Sequence, residues 1–105
     1  MIQEEIRTLL EAPPDGDAAP SLDHIEDTLT SGYAHALTLE AEQWRLERKI
    51  AEVAADLGDD STETRHSELA DLGKRLSDAD GDLTQLRDLL SSLRMRADEV
   101  RTTAA

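Results

Sequence analysis

The sequence predicts an all-α chain built on a long antiparallel two-helix coiled-coil hairpin. Three observations carry that expectation. Two stretches keep an apolar repeat that steps by three and four residues, a short acidic turn separates them, and all three prolines precede both. The first stretch runs through Leu22, Ile25, Leu29, Gly32, Ala36, Leu39, Gln43, Leu46, Ile50, Val53 and Leu57. The second runs through Leu69, Leu72, Leu76, Ala79, Leu83, Leu86, Leu90, Leu93, Ala97 and Val100. A straight helix of about 3.6 residues per turn drifts off such a repeat unless it winds around a partner.

Each element has its own signal. Residues 1–12 predict a short amphipathic helix, with Ile2, Ile6, Leu9 and Leu10 on one side. So short a helix is marginal in water and needs something to lie against. Residues 12–20 hold Pro13, Pro14, Gly16 and Pro20 and read as an extended, mobile linker. The hairpin is expected over 21–105. Its first helix spans about 21–57, with Ser21 as N-cap and Asp23, Glu26 and Asp27 in the early turns, where the helix dipole favours acids. Gly58 suits the helix end. The turn covers 58–61, and Asp60 with Glu63 resembles a capping box. The second helix spans about 61–102. A turn this short sets the two helices antiparallel. If the turn centres on Asp59–Asp60, Gln43 meets Leu76, Ile50 meets Leu69, and Ile25 meets Leu93 or Arg94.

A two-helix hairpin buries only one stripe per helix. A second apolar strip is present: Tyr33, Leu37 and Trp44, spaced by four and seven, with Leu89 on the second helix. Two arrangements would cover it. Residues 1–12 fold back over the strip, or two hairpins dimerise into a four-helix bundle; the dimer is the preferred expectation.

Composition narrows function. The chain has 105 residues, a net charge of −13 and no cysteine, so a single domain without disulfides or thiolate chemistry is expected. An acidic chain is a poor partner for nucleic acid, where cations must displace counterions from phosphate. No apolar run is long enough to span a membrane, and the N-terminus does not read as a signal peptide, so a cytoplasmic protein is expected. Nine Arg against two Lys suits a GC-rich, bacterial genome. The acidic excess lies in residues 1–20 and the first long helix, which directs a basic partner to that side, with an affinity that falls as salt rises.

Several residues invite chemistry and then decline it. Asp78, Asp80 and Asp82 alternate as in a calcium loop, but Leu83 and Leu89 stand where that loop needs Gly and Glu. His24, His35 and His66 are not at helical spacing from one another, so no metal site is expected. Without a cleft, neither catalysis nor a cofactor is expected. Gln43 interrupts the apolar seam and is a candidate register-setting polar residue. Tyr33, Leu37 and Trp44 are the candidate partner-binding residues, since aromatics with a polar handle suit interfaces. Ser91, Arg94 and Arg96 are a candidate anion contact. Arg101 completes a local basic cluster that Asp98 and Glu99 largely neutralise.

Two families of small helical hairpins invite comparison. Trp44 is followed by Arg45 and Leu46 in mid-helix, so the chain lacks the Trp-x-Gly turn of WXG-type hairpins. Ser91 and Arg94 resemble the Ser-x2-Arg part of the Glu-x3-Ser-x2-Arg-x3-Gln-x3-Asp motif of a coiled-coil anti-sigma factor family of filamentous actinobacteria that binds cyclic di-GMP. Arg87, Asp98 and Thr102 occupy the flanking positions, and no membership follows.

The expected function is a non-catalytic protein–protein interaction module: an adaptor, scaffold or small regulatory subunit. Its partners would be itself, as a homodimer, or another protein with a basic or helical surface, and neither nucleic acid nor membrane. The alternative is a ligand-responsive, anti-sigma-like regulator in which Arg94 and Arg96 clamp an anionic nucleotide.

Overall fold

In the computed structural model, which describes residues 1–56 and 63–104, all the regular structure is helical. Helix α1 spans Ile2–Glu11, α2 Leu22–Asp56 and α3 Glu63–Ala104. Leu57, Gly58, the Asp59–Asp60 turn and the Asp60 capping box lie outside the described residues. The chain divides into two compact units: Met1–Leu37 with Thr84–Ala105, and Thr38–Leu83.

Local chemistry sets the ends of α1 and the start of α2. Glu4 and Glu5 place negative charge in the first turn of α1. Ala12 ends it with an extended backbone (φ −68°, ψ 154°), the conformation that Pro13 imposes on the residue before it. The linker, expected to be extended, contains a turn closed by the Ala19 N–H on the Gly16 carbonyl at 3.2 Å. Gly16 holds φ +89°, a left-handed conformation that glycine adopts without steric cost. Ser21 caps α2: its Oγ accepts the His24 N–H at 3.1 Å, and its carbonyl accepts the Ile25 N–H.

The first unit contains α1, the N-terminal part of α2 and the C-terminal part of α3. Its core is dry. Ile6, Leu9, Ile25, Leu29, Ala36, Leu86, Leu90, Leu93 and Ala97 are all buried. The α2 and α3 segments run antiparallel, since Glu26 meets Arg101 while Gly32 meets Leu90. Buried Thr28 carries no unmet polar group, because its hydroxyl donates to the His24 carbonyl one turn back.

In this unit α1 does fold back. Ile6 is 0% exposed and reaches Gly32, while the Arg96 guanidinium donates to the carbonyls of Leu10 and Ala12 at 3.2 and 3.3 Å. It does not cover Tyr33 and Leu37, which stay exposed. Thr28, Leu89 and Arg96 border one side of the repeat and are buried or half-buried, whereas Tyr33 borders the other.

The second unit contains the C-terminal part of α2 and the N-terminal part of α3, again antiparallel. Gln43 bonds Asp80, and Asp56 pairs with Arg65 at 3.0 Å. Here Val53, Leu72 and Leu83 are buried, but Leu39, Leu46, Ile50, Leu69, Leu76 and Ala79 are only half-buried. The same repeat is thus more fully closed in the unit that holds a third helix, where only its end residues Leu22 and Val100 are half-buried, than in the one that does not.

Candidate functional site

Among the described residues no group of three or more His, Asp or Glu side chains is arranged to hold a metal ion. His24, His35 and His66 are each exposed. Asp78, Asp80 and Asp82 lie inside the continuous helix α3, not in a loop. No helix among the described residues is long and apolar enough to cross a membrane.

What the surface offers is apolar and helical. In the first unit, Tyr33 is 44% and Leu37 67% exposed, both on α2. The buried Gly32 and Ala36 fix their orientation, because residues one position on from seam residues turn towards solvent. In the second unit, Trp44 is 59% exposed, and the Arg48 guanidinium carbon stands 5.2 Å from its ring centre, one turn along the same helix. A cation over the ring holds the indole on the helix surface without covering it.

Gln43, the polar member of the seam, is half-buried. Its Nε2 donates to Asp80 Oδ1 on α3 at 3.1 Å. The pairing expected from the sequence sets it opposite Leu76, one turn short of Asp80. Leu76 is still close, since Gln43, Glu47, Gly73, Leu76, Ser77 and Asp80 together line an open groove of about 310 Å³. Its lining is apolar at Leu76 and carries carboxylates at Glu47 and Asp80.

The three residues considered for anion binding have different fates. Ser91 and Arg94 are exposed on α3. Arg96 is half-buried, with two guanidinium nitrogens on the carbonyls of Leu10 and the α1 cap residue Ala12, and its Nε 3.7 Å from Glu99. Helix C-terminal carbonyls lack intrahelical donors, and an arginine fork satisfies two of them. This structural role was not read from the sequence. The signal was faint: one arginine, a position after Met95, bordering the apolar repeat on the same side as Leu89.

Arg101 bridges Glu26 at 2.6 Å and Asp98 at 2.9 Å. The Glu26 hydrogen bond holds the guanidinium above its ordinary range; desolvation opposes it, and the charges of Glu26 and Asp98 reinforce it. The basic cluster at the end of α3 is therefore largely occupied by partners within its own unit.

No protein-family model matches this chain, and neither a curated protein nor a solved structure proved similar to it.

Proposed function

We propose that this protein is a non-catalytic interaction module, an adaptor or small regulatory subunit that binds other proteins by helix-bundle association. The observation that carries this reading is that each unit exposes large apolar side chains, Tyr33 and Leu37 in the first and Trp44 in the second. Large apolar side chains on a helix surface are the anchors of helix-in-groove recognition. The four-helix-bundle dimer is the self-paired form of the same association, and a cytoplasmic setting belongs to the same proposal.

The test is capture of binding proteins by the full chain, with Trp44→Ala and Arg94→Ala side by side. An interaction module loses its partner with Trp44→Ala and keeps it with Arg94→Ala. The opposite result, together with heat on titration with cyclic di-GMP, would replace this reading with the nucleotide-sensing one. Light scattering gives the self-paired form directly, as a mass near twice 11.6 kDa.

A further inference from the structure

Resting on the interaction reading, we infer that the second unit is a docking site for a cationic amphipathic helix of another protein. The helix would lie along the half-open seam, over the groove formed by Gln43, Glu47, Gly73, Leu76 and Asp80. The apolar side of the argument is a comparison within the chain. Where α1 lies on the helix pair, the seam residues Ile25, Leu86, Leu90 and Leu93 are at most 2% exposed. Where no third helix lies, Leu39, Leu46, Ile50, Leu69 and Leu76 remain half-buried. The second unit lacks the element that closes the first.

Charge selects the occupant. Helix α1 is acidic, with Glu4, Glu5 and Glu11 against Arg7, and it rests on a part of α3 where bases outnumber acids. Residues 84–105 carry Arg87, Arg94, Arg96 and Arg101 against Asp88, Asp98 and Glu99, and Arg96 makes the contact. The second unit has the opposite balance, with thirteen acids and six bases over 38–83. Both charged groups that rim the groove, Glu47 and Asp80, are carboxylates. A second copy of this unit would set carboxylates against carboxylates, and a third helix rich in Lys or Arg would not. Gly73 leaves room for the approach, since a methyl added there would meet nothing within 4 Å.

The probe is a three-heptad synthetic peptide with leucine at the seam positions and lysine at the flanking ones, and a twin with glutamate in place of lysine. Each is titrated into the full chain near physiological salt, with amide exchange as a second readout. The lysine peptide should bind one to one and protect amides around residues 39–53 and 69–83, and the glutamate twin should not bind. Glu47→Lys with Asp80→Lys should weaken binding about tenfold or more. Gly73→Leu, which fills the groove from an exposed helix position, should weaken it without lowering helix content. Asp15→Lys with Asp17→Lys makes the same change in net charge in the linker and should leave the affinity nearly unaltered.

Three results would overturn the inference: no binding, equal weakening by the linker pair, or a chain already dimeric through this seam and closed to the peptide. None of these touches the capture experiment with Trp44→Ala, so the broader interaction reading stands or falls separately.

Discussion

Gly32 of α2 lies so close to Leu90 of α3 that a methyl group added at the glycine would overlap the leucine side chain. Leu90 is 2% exposed, and Ile6 of α1 closes over the same spot, so the leucine has little room to turn away. Gly32 is therefore the point at which three helices converge. Alanine is favoured over glycine inside a helix by about 1 kcal/mol. Overpacking a filled core costs about 1–3 kcal/mol. Gly32→Ala should therefore lower stability, by up to about 2 kcal/mol, as a shift in the urea midpoint.

The same substitution at Gly73 or Gly81 should act in the opposite direction. Both sit inside α3, and an added methyl meets nothing at either. Only the helix propensity remains, so each change should raise stability by up to about 1 kcal/mol. Equal effects at all three glycines would contradict the close approach at Gly32.

The pattern of burial explains which features were legible in the sequence. The three–four repeat decides which residues share a face, and every repeat residue among those described is buried or half-buried. The repeat does not decide where a third helix lies. Ten residues with Ile6 and Leu9 on one side can pack against either flank of a seam. The choice rests on Arg96 reaching the end of α1 and on Thr28 satisfying its own hydroxyl. Register is less legible, because each pairing depends on where the turn centres. Moving that centre by two residues takes Gln43 from Leu76 to Asp80. Of the candidate site, exposed Tyr33, Leu37 and Trp44 could be marked from their offset to the repeat. The Glu47–Asp80 groove could not, since it joins residues from two helices in a particular register.

Helix α1 should depend on Arg96. Its guanidinium satisfies two terminal carbonyls, and hydrogen bonds to a charged donor contribute about 1.5–3 kcal/mol at most, less at a half-exposed site. A ten-residue helix has little stability of its own. Arg96→Gln should therefore raise amide exchange across α1 well before the rest of the chain loosens. Ile6→Ala should do the same, and its cost is capped by the free energy of docking α1. Protection of α1 unchanged in both variants would show that something else holds it.

Charge reversal at Glu26 should be felt through Arg101. With its pKa raised in the fold, the arginine's stabilising contribution is fully present below its unfolded pKa and is lost only as pH rises through the folded one. The arginine thus keeps its charge throughout the neutral range. Glu26→Lys sets cation against cation and should lower the melting temperature. Adding Arg101→Glu should restore part of the loss. A double variant no better than the sum of its parts would mean that the pair does not interact in solution.

Gln43→Leu should separate stability from specificity. The change removes one partly exposed hydrogen bond to Asp80, a loss of about 0.5–1.5 kcal/mol. It adds a leucine at a half-buried seam position, a gain of about half the 1.5–3 kcal/mol that full burial provides. The two nearly cancel, so the urea midpoint should move by less than about 1 kcal/mol. Association should respond more strongly. A polar residue at one seam position disfavours partners that cannot meet its amide, and an unbroken apolar seam accepts any other. The variant should therefore self-associate at concentrations where the parent chain does not, seen as a rise in mass by light scattering. A variant with the parent's mass but a clearly lower midpoint would instead mark Gln43 as a stabilising bridge to Asp80 with no part in choosing partners.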